Sequence, residues 1–368
     1  MDTRQDLQRR IIALIDRLSE GGRDDEARDA LLAEVREYQA QQVPAYGRWL
    51  AQAGVKHAAL PTDVFRYARV CGHDAEHDMA VFRTSGTSQG LRGQCFLRDL
   101  SLYDRAAHAA ARYALFPDVP RMRLLILAPK ASEAADSSLS YMLQRFVEWF
   151  GASRSTHAWA DGQVDVLRLR EILEQAQDEG EPVALLGTSF AFVLADEALG
   201  EQRFLLPARS RIMQTGGFKG RTRELSPVDM DKLLTQRYGV PADHITQEYG
   251  MTEMSSQLYG AGLRPALTES ETSTVGFHNR NYTLWVPGWV CVQAVDPLTL
   301  EPMEAGQVGI LRLDDLANLD TVSALQTADL ARVTTAGVQL LGRSPHAVPR
   351  GCSLAVEEAY EIAIGERR

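Results

Sequence analysis

The sequence predicts an α/β fold in which layered α/β/α sheets are followed by a smaller β-rich, barrel-like subdomain. Apolar runs of strand length alternate with helical patterns through the middle of the chain, as expected where helices cover the faces of a sheet. From about Ser273 the runs become short and β-rich, and proline, glycine and aspartate separate them. This change predicts antiparallel strands.

Composition narrows the class of protein. The chain has 368 residues, 45% hydrophobic and 24% charged, which is typical of soluble proteins built from two or three subdomains. A net charge of −10 argues against a nucleic-acid or anionic-membrane partner, since both favour a basic face. Four scattered cysteines without a Cys-x-x-Cys pair predict no disulfide framework and fit a reducing cytoplasm. The charged N-terminus is unlike a signal peptide, and no apolar run reaches membrane-spanning length.

The elements follow in chain order. Apolar residues at helical spacing predict two helices, over 5–20 and 26–41, in an N-terminal helical segment over 1–60, and the second helix is expected to stop near Pro44. An α/β core is expected over 61–270, with helices over 101–113 and 137–150 and strands over 123–128 and 183–186. The β-rich subdomain is expected over 271–342, and a short tail covers 343–368.

Residues 84–90 are the most informative stretch of the chain. Two glycines and four hydroxyl side chains fall within seven positions, one residue after the apolar pair 81–82: Thr84, Ser85, Gly86, Thr87, Ser88 and Gly90. The glycines let backbone N–H groups turn toward an anion, and the hydroxyls add donors. The stretch predicts a phosphate cradle, although the Gly-x-x-x-x-Gly-Lys pattern cannot be fitted to it. Taken alone, a glycine-broken surface loop is an equal interpretation.

A second segment places an aromatic ring, a glycine, a hydroxyl and a carboxylate within five residues: Tyr249, Gly250, Thr252 and Glu253. The ring offers a flat face for a base, and the glycine permits a close approach. The hydroxyl can donate to a phosphate, and the carboxylate can hold Mg²⁺. The alternative is a helix start in which Thr252 or Glu253 is a capping residue.

Two more segments contain residue types suited to a nucleotide. Gly216 and Gly217 can lie against a planar ligand, or they can form a plain turn. Asp329 can accept hydrogen bonds from both ribose hydroxyls, and Arg343 can add donors nearby. The alternative for the second pair is an exposed turn acid and a surface arginine.

Together and in this order, the segments resemble the adenylate-forming superfamily of acyl- and aryl-CoA ligases, adenylation domains and luciferases. Residues 84–90 are similar to its Thr-Ser-Gly-Thr-Thr-Gly loop, and 247–253 to its Tyr-Gly-x-Thr-Glu motif. Thr327 and Asp329 match Thr-Gly-Asp, and 342–343 match Gly-Arg. Within the superfamily the sequence is most similar to acyl-protein synthetases and phenylacetate–CoA ligases. The resemblance implies the N-terminal domain of that fold, with a nucleotide- and substrate-binding core over 61–270.

The resemblance also implies roles for these residues. It places Ser85, Gly86 and Thr87 on the ATP phosphates, Gly216, Gly217 and Tyr249 around adenine, Thr252 on the α-phosphate, Glu253 on Mg²⁺, and Asp329 and Arg343 on ribose. The implied reaction is ATP-dependent activation of a carboxylic acid to an acyl-adenylate with release of pyrophosphate. A carboxylate is already ionised at neutral pH, so no nucleophile–base pair is required.

The acid itself is less constrained. Similarity to adenylating proteins of phenazine antibiotic biosynthesis implies an aromatic acid, such as a phenazine carboxylate, passed to an acceptor in secondary metabolism. His157, Phe190 and Phe218 are candidate lining residues, and core packing is the other interpretation. Two alternatives remain open: a fatty acyl-protein synthetase that forms an acyl-cysteine, and a binding protein that holds an adenylate or aromatic acid for a partner.

The sequence departs from the family pattern in three places. The phosphate loop lacks its usual lysine, for which Arg92 is the candidate replacement. Only 25 residues follow Arg343, without a lysine, which predicts that the C-terminal lid domain is absent and that adenylation is slow or completed by a partner protein. Cys352 is the candidate acyl carrier, although a structural cysteine is the more common case.

One cluster has the residue types of a zinc site. Cys71, His73 and His77 are spaced as Cys-x-His-x-x-x-His, but no fourth ligand is evident and acidic residues intervene. A solvated loop is the favoured interpretation.

Overall fold

The computed structural model describes residues 3–53, 58–85, 91–216, 225–268 and 282–344. The helices of these ranges are α1 (Thr3–Leu18), α2 (Asp25–Gln42), α3 (Pro44–Ala53), α4 (Ser101–Ala114), α5 (Ser138–Phe150), α6 (Val166–Glu179), α7 (Ser189–Leu199), α8 (Pro227–Tyr238) and α9 (Leu263–Thr268). The strands are β1 (Leu60–Pro61), β2 (Ala80–Arg83), β3 (Gln94–Leu97), β4 (Arg123–Leu127), β5 (Thr156–His157), β6 (Trp159–Ala160), β7 (Gln163–Val164), β8 (Val183–Thr188), β9 (Arg211–Thr215), β10 (Ile245–Tyr249), β11 (Leu258–Gly260), β12 (Leu284–Trp285), β13 (Val290–Val295), β14 (Val308–Asp315), β15 (Ala324–Thr334) and β16 (Gly337–Arg343).

One 12-stranded sheet organises the fold. Its strand order is β13-β14-β15-β16-β12-β11-β10-β9-β8-β4-β5, and β1 pairs with β15 outside that path. The neighbouring strands β5, β4, β8, β9 and β10 pair in parallel, whereas every further pair along the order, from β10–β11 to β14–β13, is antiparallel. The carboxyl ends of β8, β9 and β10 therefore meet at one edge of the sheet, which is where ligands bind in open α/β sheets.

Helices cover both faces of the parallel strands, as the alternating pattern predicts. Successive side chains of a strand point to opposite faces, so Leu124 and Ile126 of β4 pack into a core that includes residues of α4 and α5. Leu125 and Leu127 pack into a second core with residues of α6, α7 and α8. The α/β/α layering is confirmed.

The β-rich segment continues the same sheet. Through β11 and β12, the strands β13 to β16 extend the parallel region into the 12-stranded sheet. The pairing of β15 with β16 shifts register between Asp329 and Ala331, and such bulges redirect side chains at the rims of sheets and near active sites. The division of the chain into domains remains a prediction.

The N-terminal helices pack against the segment that joins β14 to β15. Arg4 of α1 donates two hydrogen bonds to the Asp320 carboxylate, at 2.5 and 2.6 Å. Gln39 of α2 donates to the Asn318 carbonyl at 2.7 Å and accepts from the Ser323 amide at 3.0 Å. The second helix ends at Gln42, near Pro44 as predicted, and a third helix that the sequence analysis did not predict, α3, begins at Pro44. Proline suits the first helical turn, where its missing N–H has no intrahelical partner.

Within the described ranges, every helix falls short of the length and apolar character that a membrane span requires.

Candidate functional site

The carboxyl edge of the parallel strands brings the ends of β8, β9 and β10 side by side. Thr188 ends β8 and caps α7, because its side chain accepts a hydrogen bond from the Ala191 amide at 3.1 Å. Gly216 follows β9 with φ +68°, a left-handed conformation that favours glycine. Tyr249 ends β10. A turn follows Tyr249, so the helix-start alternative for this segment is wrong.

Hydrogen bonds between Thr84, just after β2, and Gly93, just before β3, join the two ends of the predicted phosphate loop. This junction is called the neck of the loop below. The Thr84 amide donates to the Gly93 carbonyl, and the Gly93 amide donates to the Thr84 hydroxyl, both at 2.9 Å. Arg92 lies beside the neck, where its Nε donates to the Thr84 carbonyl at 2.6 Å and its Nη1 to Asp136 at 2.7 Å. The contacts of Arg92 therefore brace the loop, and its catalytic role stays a prediction.

Glu253 reaches the same neck from the turn after β10. A Cβ atom built on Gly93 would lie 3.0 Å from the Thr84 methyl group and 3.2 Å from Glu253 Oε1. Burial raises the pKa of the Glu253 carboxyl to about 7, and the charge of Asp63 adds to this effect. A nearby cation stabilises the charged form of a buried carboxyl group. The Glu253 carboxylate, beside the Thr84 hydroxyl, is therefore a suitable place for Mg²⁺. That ion commonly takes only one or two protein carboxylates, with phosphates and water completing its shell.

Tyr249, Asp329 and Arg343 form a second group at this edge. The Tyr249 hydroxyl donates to Asp329 Oδ2 at 2.8 Å. Asp329 and Arg343 face each other across β15 and β16, with Arg343 Nε 3.5 Å from Asp329 Oδ1. The Arg343 side chain is 81% exposed. Thr327 is buried, and its hydroxyl accepts from the Asp329 amide at 3.1 Å and donates to the Leu311 carbonyl at 2.7 Å. Thr327 thereby orients Asp329.

A buried anchor that sequence reasoning missed holds the turn containing Thr252 and Glu253. The Asp315 carboxylate accepts from the amides of Ser255 and Ser256 at 3.0 and 2.8 Å, and from the Ser256 hydroxyl at 2.7 Å. The Asn318 amide group donates to the Glu253 carbonyl at 2.8 Å. Burial raises the pKa of Asp315, and these donors counteract that effect. An Asp and an Asn after an apolar strand signal a turn in the sequence, but nothing in the pattern signals a partner 60 residues away.

Sequence reasoning also missed a row of hydrogen-bonded polar side chains on α7, β9 and β10. The Ser189 hydroxyl donates to Gln214 Oε1 at 2.5 Å. The Thr215 hydroxyl donates to Glu248 Oε2, and both residues are buried. Burial raises the pKa of Glu248 to about 7.

Two of the three candidate acid-binding residues, His157 and Phe190, lie within the described ranges. His157 is on β5, where its Nδ1 is 2.9 Å from the Ala128 carbonyl, and burial lowers its pKa. Phe190 is half-buried in the first turn of α7. Several predicted residues lie outside the described ranges: Gly86, Thr87, Ser88, Gly217, Phe218 and Cys352. The tail over 345–368 does so as well, so the expected absence of a lid domain stays a prediction.

The zinc interpretation finds no support in the described part of the chain. No three His, Cys, Asp or Glu side chains come together there in a way that could hold a metal ion. The Cys71 thiol points at the His73 carbonyl, 3.4 Å away, and His73 Nε2 lies 3.0 Å from Asp78. His77 is exposed beside Glu76.

Comparison with solved structures shows which fold the chain has. The chain superposes on a 2-hydroxyisobutyryl-CoA ligase in its postadenylation state with 2-HIB-AMP at a TM-score of 0.60, with 17% identity, covering 87% of this chain and 67% of that one. It covers 49% of the length of an ATP-bound MatB from Rhodopseudomonas palustris, at a TM-score of 0.48 and 15% identity. The fold is that of the adenylate-forming ligases.

Sequence comparison places the chain more narrowly. Residues 55–361 match the family model for the acyl-protein synthetase LuxE, and the chain belongs to that family of ligases. A long-chain-fatty-acid–luciferin-component ligase of Aliivibrio fischeri is 22% identical over 317 residues, which cover 82% of this chain and 78% of that protein. The ligase of the same name from Vibrio harveyi is 27% identical over 316 residues, covering 82% and 77%.

Proposed function

We propose that this protein uses ATP to activate a carboxylic acid, forming an acyl-adenylate and releasing pyrophosphate. One observation carries the proposal. Side chains from distant parts of the sequence, each of a type suited to one part of ATP, converge at the carboxyl edge of the parallel strands. Glu253 meets the neck of the hydroxyl-rich loop at Gly93, and Tyr249 holds Asp329 opposite Arg343.

Each group is assigned to the part of ATP that its chemistry fits. Asp329 accepts from the ribose hydroxyls, because a carboxylate is a strong bidentate acceptor. Gly216, where a Cβ would meet nothing within 4 Å, and Gly217 are assigned to adenine together with Tyr249. Ser85, Gly86 and Thr87 bind the β- and γ-phosphates, with Thr84 and Ser88 as further donors, and Thr252 binds the α-phosphate.

In the reaction, the substrate carboxylate attacks the α-phosphorus of ATP, the new bond forms between them, and pyrophosphate leaves with the electron pair. Catalysis in such transfers is mostly positioning and neutralisation of developing charge. Mg²⁺ supplies part of that neutralisation when bound, and Glu253 with Thr84 would hold it. We assign to Arg92 the role of the lysine in the family's phosphate loop, which is to supply a positive charge. Arg92 does this in addition to bracing the neck of the loop.

For the acid, we propose an aromatic carboxylate, such as a phenazine carboxylate of secondary metabolism, near His157, Phe190 and Phe218. A long-chain fatty acid is the second candidate, and the names of the relatives from Aliivibrio fischeri and Vibrio harveyi favour it.

Pyrophosphate release in the presence of ATP, Mg²⁺ and a panel of acids tests the proposal. The panel contains phenazine-1-carboxylate, benzoate, octanoate and myristate. We expect release with at least one acid and little release from Asp329→Ala. If ATP binds but no acid supports release, the protein is instead a binding module that holds its ligand for a partner. ATP or acid binding would then appear only as a rise in melting temperature.

The family name also supports a second candidate step, transfer of the acyl group to Cys352. The thiolate would attack the acyl carbonyl of the adenylate, forming a thioester and releasing AMP. We expect radiolabelled acid to stay on the denatured protein, to be released by hydroxylamine, and to be lost in Cys352→Ser. The matched control is Cys291→Ser, which changes a half-buried thiol on β13. Equal labelling of both variants would exclude Cys352 as the acyl carrier.

A further inference from the structure

A short 3₁₀ helix, Thr62–Arg66, lies against the candidate site and has no part in the ATP contacts proposed above. It follows directly after β1, which pairs in parallel with β15. The helix contacts β15, the strand that holds Asp329, and it also contacts β3, which begins just after the neck at Gly93. It therefore touches the strands that carry both groups of candidate ATP-binding residues.

The two charged residues of this helix share one face. Val64 and Phe65 are buried in the core. Side chains three positions apart eclipse each other in a 3₁₀ helix, and Arg66 Nε accordingly lies 3.3 Å from Asp63 Oδ1. The Arg66 and Asp63 side chains are 32% and 30% exposed. This charged face is therefore accessible to a ligand from solvent.

The ion pair with Asp63 engages only one side of the Arg66 guanidinium. Within the described ranges, the two outer nitrogens of Arg66, Nη1 and Nη2, make no hydrogen bond. A guanidinium presents its N–H donors in a planar fork that matches the oxygens of a phosphate group. Arg66 thus has a charge and free donors on an accessible face of the site.

Arg92, the other arginine beside the phosphate loop, differs in this respect. All three of its guanidinium nitrogens already donate to the protein, at 2.6–3.2 Å, to the Thr84 carbonyl, Asp136 and the Arg83 carbonyl. Arg92 can supply positive charge at the neck, but its donors are engaged in bracing the loop. Direct hydrogen bonds to phosphate oxygens need an arginine whose donors are free, which Arg66 provides.

The charge of Arg66 also acts on the carboxylate that is assigned to Mg²⁺. Burial raises the pKa of the Glu253 carboxyl, and the charges of Arg66 and Arg343 act in the opposite direction. Arg343 lies beside Asp329, at the part of the site assigned to ribose. Arg66 is thus the cation near Glu253 that the proposed contacts leave without a role.

We propose that Arg66 donates hydrogen bonds to the β- and γ-phosphates of ATP beside Glu253 and stabilises the negative charge of pyrophosphate as it leaves. Asp63 is a positioning residue, because it holds the guanidinium through Nε and leaves the outer nitrogens for the phosphates. This inference rests on the proposed function. Arginine suits the task because charge on the leaving phosphates increases as the bond to the α-phosphorus breaks.

The expected effect concerns the two outer phosphates of ATP. Arg66→Gln should weaken ATP binding by about tenfold or more, since it removes hydrogen bonds between charged groups. The Kd of AMP, which lacks those phosphates, should change by less than about twofold. The kcat of pyrophosphate release should fall by about a hundredfold or more, as expected for loss of a donor to a developing charge. Arg66→Lys should recover part of both losses, because it restores the charge without the fork.

Calorimetric titration of the full chain with ATP and with AMP, both in the presence of Mg²⁺, measures these affinities without any acid. The matched control is Arg168→Gln on α6, because Arg168 also lies 3.3 Å from an acid three positions away, Glu171, and is exposed. Asp329→Ala gives the opposite pattern, a loss for both nucleotides, because both contain ribose. Melting temperatures show whether each variant is folded.

A selective loss of ATP affinity in Arg66→Gln, with Arg168→Gln unchanged, would support the inference. Unchanged ATP affinity, or an equal loss for ATP and AMP, would overturn it. If Arg66→Gln does not fold, Arg66→Lys takes its place, with a severalfold loss for ATP alone as the expected result and equal behaviour of the two nucleotides as the contrary one.

Failure of the proposed function gives a different result. In that case wild-type protein binds ATP but releases no pyrophosphate with any acid, and the comparison of ATP with AMP still decides the role of Arg66 in binding. If the inference alone is wrong, Arg66→Gln binds ATP and releases pyrophosphate as wild-type protein does. Absence of ATP binding by wild-type protein would overturn both.

Discussion

The Tyr249 hydroxyl donates a 2.8 Å hydrogen bond to Asp329 Oδ2, joining the last parallel strand of the sheet to a strand of its antiparallel half. The two residues are 80 positions apart in the sequence. The bond fixes one oxygen of the carboxylate assigned to ribose. Burial raises the pKa of Tyr249 well above the usual value, and the charge of Asp329 adds to this effect, so the phenol stays a donor throughout the physiological pH range.

The first prediction concerns ATP affinity. Asp329→Ala should weaken ATP binding by about tenfold or more, since hydrogen bonds to a charged group contribute about 1.5–3 kcal/mol. Tyr249→Phe should weaken it less, because the carboxylate remains but loses its orienting donor. Calorimetric titration with ATP measures both, with Asp178→Ala on the exposed face of α6 as the control. Unchanged affinity in Asp329→Ala would remove this residue from the nucleotide site.

The second prediction concerns the anchor of the Glu253 turn. Asp315→Asn should lower the free energy of unfolding by about 1–3 kcal/mol, because an amide group cannot accept all the hydrogen bonds that the buried carboxylate accepts. The KM for Mg-ATP should rise at the same time, since the turn carries Glu253. Urea denaturation and pyrophosphate release measure the two effects. Asp178→Asn, an exposed change of the same chemistry, should alter neither. A stable Asp315→Asn protein with normal kinetics would show that the anchor is dispensable.

A third prediction tests the contact between Glu253 and the neck of the phosphate loop. Gly93→Ala should reduce pyrophosphate release by about tenfold or more. The added methyl group would lie 3.0–3.2 Å from Thr84 and Glu253 and would displace the Glu253 carboxylate. Misplacement of a catalytic group by about 1 Å can lower the rate by as much as about a hundredfold. Gly22→Ala is the control, since its methyl group would make only ordinary contacts, 3.5 Å or longer. Full activity in Gly93→Ala would mean that the neck is not part of the working site.

The fourth prediction follows from the raised pKa of Glu248, about 7 against an ordinary 4.5. Between these two values the folded protein binds more protons than the unfolded chain, so stability is greatest at low pH and falls as pH rises through about 7. From pH 5 to pH 8, wild-type protein should lose about 1–3 kcal/mol more stability than Glu248→Gln.

Chemical denaturation at the two pH values measures this difference, and Glu197→Gln supplies the control because that glutamate is exposed. A Glu248→Gln protein with the pH dependence of the wild type would show that Glu248 ionises normally in the folded state.

Much of the local structure is predictable because it depends on neighbouring residues. The helical patterns over 5–20 and 137–150 predict α1 and α5, and the apolar runs over 123–128 and 183–186 predict two central strands. Where a local sequence signal is compatible with two local structures, the sequence does not decide which of them forms. Proline can follow the end of a helix or begin one, and Pro44 does both, since α2 ends at Gln42 and α3 begins at Pro44. A hydroxyl and an acid after Tyr249 can cap a helix, and here they lie in a turn.

The sequence by itself determined the chemical types at the candidate site, because hydroxyls, glycines and carboxylates at short spacing are local properties. Only the tertiary structure decided which distant groups meet. It paired Tyr249 with Asp329, set Asp315 beneath the Glu253 turn, and placed Glu248 between Thr215 and Tyr259. Such pairings depend on strand order and on packing between faces of the sheet. Side-chain periodicity specifies which face of a strand is buried, but it does not specify the strand that lies beside it.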